Sequence, residues 1–277
     1  EMKPLPRLAR RGLFLGGTGL AAAVALGAVE LASARLAPTG IVTGWTLALV
    51  TFSLALFGAR KAVPFLPLGP ASAWLRVHAA GGGVAILLFG LHTGFRFPGG
   101  AWERALAAAF LAMSASGLVG LWLSRRLPPR LALRGSEVLY DRIPILRRQL
   151  RERGDEIAFD SIRQTGSDVL ARLYRERLRP FLDGPGDRWA HLAATSRSAH
   201  RLVEELRAFE RYLDVPGRVR AAELEDLILR KDDLDFQRAL QGALRIWPFF
   251  HVPLTGVLVV LAVAHGVLAQ IFAGGTR

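Results

Sequence analysis

The sequence contains no cysteine, and this absence removes several kinds of metal and redox centre. A chain without cysteine forms no disulfide, cannot attach a c-type haem covalently, and cannot ligate an iron–sulfur cluster through its own thiolates. Any such centre must therefore belong to another protein.

Acidic residues are scarce over about half of the chain. Of the 23 aspartates and glutamates, only Glu1, Glu30 and Glu103 lie outside residues 125–245. The acid-poor half carries long apolar runs, and 51% of all residues are hydrophobic, with a mean hydropathy of +0.29. A soluble protein of this size would intersperse its apolar residues with charge. The pattern predicts an integral membrane protein with one large polar insert.

About five apolar segments could cross a bilayer. We predict these segments at residues 12–32, 41–57, 72–95, 102–123 and 246–273. The insert shows spaced apolar residues among charged ones and no strand-like alternation, which is typical of amphipathic helices. We therefore expect an all-α membrane protein in which about five transmembrane helices form a bundle, with an α-helical insert between the fourth and the fifth. Its parts are residues 1–124 with the first four segments, the helical insert at 125–245, and residues 246–277 with the fifth segment.

The first segment admits two other interpretations. Arg10-Arg11 before an apolar run resembles a twin-arginine export signal, and residues 17–22 match the G-x-G-x-x-A pattern of dinucleotide-binding loops. The second pattern requires a preceding strand and a solvated helix N-terminus, whereas this one lies inside an apolar run. We interpret the segment as a membrane helix whose small residues allow close packing.

The net charge of +13 does not indicate nucleic-acid binding. The insert is nearly balanced, with 25 basic and 20 acidic residues, and the remaining excess flanks the apolar segments. When the basic residues near all helix ends are counted, including those at the two ends of the insert, fifteen lie on the side of the N-terminus and four on the other. The positive-inside rule then places the N-terminus and the insert in the cytoplasm. Arginine outnumbers lysine 33 to 3, which is typical of GC-rich bacterial genomes, so we expect a bacterial cytoplasmic membrane.

Four of the six histidines form two pairs with the same spacing. His78 and His92 are fourteen residues apart on the third segment, and His251 and His265 are fourteen apart on the fifth. Fourteen helical residues make about four turns and rise about 21 Å, so each pair occupies one helix face. The predicted topology makes the two helices parallel, which brings His78 level with His251 and His92 level with His265.

Intramembrane histidines are costly and usually functional. A structural zinc site would need its ligands to converge on one point, which this spacing does not provide. A histidine-lined transport path and purely structural histidines stay open as alternatives. Two parallel helices can, however, present one imidazole to each face of a porphyrin. We interpret the four histidines as axial iron ligands of two b haems.

Several other polar residues lie near the histidines or in the insert. Arg76 and Arg245 at the inner ends, and Arg96 at the outer end, are candidates for ion pairs with haem propionates or for ordinary interfacial anchors. His191 and His200 are expected on the surface of the insert. The run Lys231 to Asp235 is expected to be a solvated face.

The paired histidines resemble the haem helices of diheme b-type cytochromes. Similar pairs occur in cytochrome b of bc complexes and in the ferric reductase and NADPH oxidase superfamily, where the third and fifth helices carry them. The resemblance covers about fifty residues and implies that His78, His92, His251 and His265 ligate two haems. No Pro-Glu-Trp-Tyr quinol-site motif is found, no flavin and nicotinamide domain follows the fifth segment, and the insert belongs to neither pattern.

The expected function is that of an electron-transfer subunit of an oxidoreductase complex in the membrane lipid. It would carry electrons across the membrane between redox partners, namely iron–sulfur, flavin or c-type cytochrome subunits, or the quinone pool. One alternative is a quinol-oxidising or substrate-reducing subunit with its own active site beside one haem. Another is an anchor or assembly subunit without electron transfer.

Overall fold

The structure, a computed structural model, describes residues 39–56, 71–134, 138–165, 168–193 and 195–274. The α-helices in these ranges are α1 (Thr39–Ala55), α2 (Ala71–Thr93), α3 (Ala101–Ala132), α4 (Ile143–Thr165), α5 (Val169–Leu173), α6 (Arg179–Asp183), α7 (Arg188–Leu192), α8 (Arg197–Phe209) and α9 (Val215–Gly274). Short 3₁₀ turns lie at Tyr140–Arg142 and Glu210–Tyr212, and a π-helical segment, Tyr174–Leu178, joins α5 to α6. The described ranges contain no strand, which confirms the all-α prediction for this part of the chain.

Three of the described helices are long and apolar enough to cross a membrane. The candidate spans are Ser72–Thr93, Ala101–Ala132 and Val215–Phe272, and Gly40–Ala55 is a shorter apolar helix. The predicted first segment, 12–32, lies outside the described residues, as do the two sequence patterns within it. The described part of the chain is therefore helical, with three candidate membrane-spanning helices.

The chain divides into two compact units. The first, which we call the histidine unit, comprises the described residues up to Leu121 together with those from Pro248 onward. The second, the insert unit, spans Trp122–Trp247. The unit boundaries fall inside α3 and α9, each of which contributes residues to both units.

The histidine unit is held together by apolar contacts between its four helices. Ala85 of α2, Phe110 of α3 and Leu258 of α9 are buried in one cluster. The rings of Phe89 and Phe110 stack with their centroids 4.3 Å apart. Because these contacts involve α2, α3 and α9 together, they fix the rotation of the histidine-bearing helices about their own axes.

A left-handed turn ends α2 directly after its second histidine. Gly94 has a φ of +63° and Phe95 a φ of +57°, and the Phe95 amide donates to the Gly90 carbonyl oxygen at 2.8 Å. A hydrogen bond from an amide to the carbonyl five residues earlier is the mark of the Schellman motif, which favours glycine at the left-handed position. The Phe95 ring covers Gly90, where a Cβ would come within 2.5 Å of a ring carbon. The turn therefore requires glycine at both 90 and 94.

The insert unit has its own apolar core. Residues of α4, α5, α6, α8 and α9 contribute to it, and Leu206, Leu224 and Ile228 are fully buried in it. A second cluster packs Leu123 and Leu127 of α3 against Leu240 of α9. The expected helical insert is thus a packed bundle rather than a set of separate surface helices.

Helices α3 and α9 both run further than the sequence indicates. The predicted fourth segment ended near residue 123, before Pro128 and Pro129, yet α3 continues through both prolines to Ala132. Prolines remove backbone donors and normally end a helix. Here Leu127 is fully buried in the second cluster, and this packing outweighs the local preference. The fifth segment, predicted to begin at residue 246, is the C-terminal part of the single helix α9, which begins at Val215 in the insert.

The expectation that Lys231 to Asp235 forms a solvated face is wrong. Lys231, Asp232 and Asp235 are exposed by only 1%, 6% and 4%. Lys231 Nζ lies 2.5 Å from Asp235 Oδ2 and 4.1 Å from the centroid of the Phe181 ring. Charged residues at helical spacing are usually solvated, but here their charges pair inside the bundle, which permits burial. Burial lowers the pKa of the Lys231 ammonium, and the neighbouring Asp235 carboxylate opposes that shift.

The expectation of two surface histidines in the insert is correct for His200 and wrong for His191. His200 is exposed, and its Nδ1 lies 2.7 Å from the Ser196 carbonyl oxygen. His191 is 4% exposed, with Nε2 3.9 Å from Asp232 Oδ1. Its ring lies edge-on to that of Phe236, with the centroids 6.3 Å apart, and Arg130 holds this end of α7 by donating to the backbone carbonyl of His191 at 2.9 Å and to that of Leu192 at 2.8 Å.

Candidate functional site

The four membrane histidines meet as two pairs within the histidine unit. The ring centroids of His78 and His251 are 6.3 Å apart, and those of His92 and His265 are also 6.3 Å apart. We call these the 78/251 pair and the 92/265 pair. The first histidine of α2 meets the first of α9, and the second meets the second, so α2 and this part of α9 run parallel. The histidines that the sequence placed at matching depths are the ones that meet.

The ring separation fits two imidazoles bound to opposite sides of one metal ion. A five-membered ring with bonds of about 1.33 Å has each atom about 1.15 Å from its centroid. Metal–imidazole bonds are about 2.0 Å, so two opposed ligands place their centroids about 6.3 Å apart. A direct hydrogen bond between the rings, with nitrogens about 2.9 Å apart, would bring the centroids to about 5.2 Å. The observed 6.3 Å therefore leaves room for an ion.

The ring orientations are also compatible with axial ligation. The planes of the 78/251 pair are inclined by 73° and those of the 92/265 pair by 85°. Each axial imidazole plane contains the metal–nitrogen axis, and the two planes can turn about that axis independently. His251 is 8% exposed and the other three are partly buried, so the histidines lie within the helix bundle. The two imidazoles of each pair could therefore hold a haem iron between them.

Hydroxyl groups contact the Nδ1 atoms of two of the four histidines. Thr43 Oγ1 of α1 lies 3.2 Å from Nδ1 of His92, and Ser116 Oγ of α3 lies 3.1 Å from Nδ1 of His251. Histidine ligands usually engage their second ring nitrogen in this way, which fixes the tautomer and the ring orientation. In both residues the Nδ1 contact leaves Nε2 as the nitrogen for a metal ion.

The three arginines proposed for propionates lie in different settings. Arg76 and Arg96 are exposed, two residues before His78 and four after His92. Arg245 belongs to the insert unit, where its guanidinium lies 2.9 Å from Asp141 Oδ1 and 4.4 Å from the Tyr140 ring centroid. Arg245 therefore already has a carboxylate partner, whereas the exposure of Arg76 and Arg96 suits a solvated anion.

Among the described residues, no group of three or more histidine, cysteine or acidic side chains could hold a metal ion. A bis-histidine haem site does not need such a group, since the porphyrin supplies four of the six iron ligands and the protein only two. No protein-family model, no curated protein and no solved structure matches this chain. Its function must therefore be argued from its own geometry.

Sequence reasoning located the histidines but missed the hydroxyl residues that contact them. Neither Thr43 nor Ser116 is singled out by the sequence pattern alone. A signal was present, because each is a hydroxyl residue followed by glycine in an apolar helix, at Thr43-Gly44 and Ser116-Gly117. Such dipeptides are common in membrane helices, so the signal acquires meaning only when the partner histidine is known.

Proposed function

We propose that this chain is a membrane electron-transfer subunit in which the 78/251 and 92/265 pairs each ligate one b haem. The observation that carries the proposal is that the four histidines, spaced fourteen residues apart on two parallel helices, meet as two pairs whose ring separation leaves room for a metal ion. When bound, haem iron supplies one-electron redox chemistry.

The protein residues would hold the two haems at two levels of one bundle. Successive histidines on a helix are separated by about 21 Å of rise, so the two levels lie toward opposite sides of a bilayer about 30 Å thick. Neutral imidazoles add no charge to the apolar interior, and the buried cluster of Ala85, Phe110 and Leu258 excludes water from the helix contacts. This arrangement suits movement of an electron from one membrane face to the other.

The proposal includes an orientation in the membrane and partners that exchange electrons with the two haems. We place all five predicted segments in a bacterial cytoplasmic membrane, with the N-terminus and the insert in the cytoplasm. The chain has no cysteine for a cluster or a c-type haem, so iron–sulfur, flavin or cytochrome c subunits, or the quinone pool, would deliver and remove electrons. The packed insert unit is the proposed docking surface for the cytoplasmic partner. Arg76 and Arg96 are the proposed propionate partners, with Arg245 less suited because of Asp141.

The test is haem quantification in the purified protein by the pyridine haemochrome assay, with optical spectra of the reduced form. We expect b-type bands and about two haems per chain. His251→Ala and His92→Ala should each remove one haem, because each breaks one pair. His200→Ala is the matched control, since this histidine is exposed in the insert. A folded wild-type protein without haem, or equal haem loss in His200→Ala, would contradict the proposal.

A further inference from the structure

Two helices that carry no histidine ligand each present one hydroxyl to a ligand histidine. Helix α1 provides Thr43 to His92, with 3.2 Å between Oγ1 and Nδ1. Helix α3 provides Ser116 to His251, with 3.1 Å between Oγ and Nδ1. One histidine of each pair therefore has a hydroxyl partner, and the two partners come from different helices.

The direction of the Thr43 bond follows from its other contact. The Thr43 hydroxyl donates its single hydrogen to the Gly40 carbonyl oxygen at 3.2 Å. With that hydrogen on Gly40, the Thr43 oxygen can accept from Nδ1–H of His92, which leaves the lone pair on Nε2. Ser116 Oγ can accept from Nδ1–H of His251 in the same way. Both contacts are compatible with the tautomer that binds iron through Nε2.

Each hydroxyl residue is followed by a glycine that faces the same imidazole. A Cβ on Gly44 would lie 2.9 Å from Cε1 of His92, and a Cβ on Gly117 would lie 3.7 Å from Cε1 of His251. Gly44 thus lets the His92 ring approach α1 closely enough for the Thr43 hydroxyl to reach Nδ1, whereas a Cβ at Gly117 would make an ordinary contact with the His251 ring. The same dipeptide arrangement occurs on two unrelated helices, which indicates a shared role beyond satisfying one buried polar atom.

We infer that Thr43 and Ser116 are positioning residues that fix the tautomer of His92 and His251 and set the strength of each as an iron ligand. The inference rests on the proposed function. A donor bond from Nδ1–H to an acceptor makes the imidazole a stronger base, which favours ferric over ferrous iron. Thr43 would therefore lower the potential of the haem at the 92/265 pair, and Ser116 that of the haem at the 78/251 pair.

The test compares Thr43→Val and Ser116→Ala with the wild type in a potentiometric titration followed by optical spectra. We expect each variant to raise one of the two midpoint potentials and to leave the other in place. If the ratio of ferric to ferrous binding falls by up to tenfold, the shift is up to about 59 mV. Haem affinity at the affected pair should fall by about 10- to 100-fold.

Matched controls separate this role from a general effect of losing a hydroxyl. Thr46→Val removes a hydroxyl of α1 that donates to Val42 at 2.8 Å, and Thr255→Val removes one that donates to the backbone carbonyl of His251 at 2.9 Å. Neither contacts an imidazole, so both should keep the wild-type potentials. Thr43→Ser and Ser116→Thr retain the hydroxyl and should also keep them, which makes the test valid even where a deletion variant folds poorly.

The outcomes distinguish the inference from the function on which it rests. A wild-type protein without haem overturns both. Two haems whose potentials are unchanged in Thr43→Val and Ser116→Ala, or shifted equally in Thr46→Val and Thr255→Val, overturn the inference while the electron-transfer function stands.

Discussion

Adding one methyl group at Gly44 should weaken haem binding at the 92/265 pair, whereas the same change at Gly117 should leave haem binding at the 78/251 pair unchanged. Both glycines lie in helices without a positive φ, so alanine suits either backbone and should stabilise each helix by about 0.5–1 kcal/mol. The two sites differ in how close an added Cβ would come to the neighbouring histidine ring. A Cβ at Gly44 lies 2.9 Å from Cε1 of His92, while a Cβ at Gly117 lies 3.7 Å from Cε1 of His251.

The size of the effect follows from these distances. Ordinary van der Waals contacts begin at about 3.4 Å, so the His92 ring must move by at least about 0.5 Å in Gly44→Ala. The movement strains the 3.2 Å contact with Thr43 and changes the 6.3 Å separation from His265. Overpacking of this kind costs about 1–3 kcal/mol, which weakens haem binding about 5- to 150-fold.

The assay measures haem transfer from each variant to an excess of an apo-globin acceptor, together with thermal unfolding in detergent. A second set places Gly44→Ala in a His78→Ala background, which retains only the 92/265 pair, and in a His92→Ala background, which retains only the 78/251 pair. We expect Gly44→Ala to speed haem transfer from the His78→Ala background and to leave haem transfer from the His92→Ala background unchanged. Equal haem retention in Gly44→Ala and Gly117→Ala would refute the steric reasoning.

Two further predictions concern the insert unit. Asp235→Asn should lower the free energy of unfolding by about 3–5 kcal/mol, because it leaves the buried Lys231 ammonium without its carboxylate. Asp226→Asn is the control, since its ion pair with Arg230 is exposed and contributes about 0.3–0.5 kcal/mol; similar losses in denaturant titrations of the two variants would contradict the buried pairing. Burial raises the pKa of Tyr174, and its 2.9 Å hydrogen bond to Asp155 raises that pKa further. The folded state therefore keeps a proton that the unfolded chain releases above about pH 10. The free energy of unfolding should therefore fall as pH rises from about 10. Tyr174→Phe should lower it by about 1 kcal/mol at neutral pH and flatten the alkaline dependence. An unchanged dependence of unfolding on pH in this variant would show that Tyr174 does not cause it.

The sequence alone determined the helical class and the two histidine pairs. The helix period turns a spacing of fourteen into one shared face, and the scarcity of acidic residues in the apolar segments separates the predicted membrane helices from the insert. The match of His78 with His251 and of His92 with His265 then follows from helix direction. None of these steps depends on how side chains pack against other helices.

Only the tertiary structure decided which residues surround the histidines and which charges are buried. Thr43 and Ser116 reach their histidines through the rotation of α1 and α3 about their axes, which the cluster around Phe110 helps to fix. Lys231 and Asp235 carry the sequence pattern of a solvated face, yet they pair inside the insert bundle. Helix periodicity specifies which residues share a face, but the partner of that face depends on contacts between segments distant in the chain.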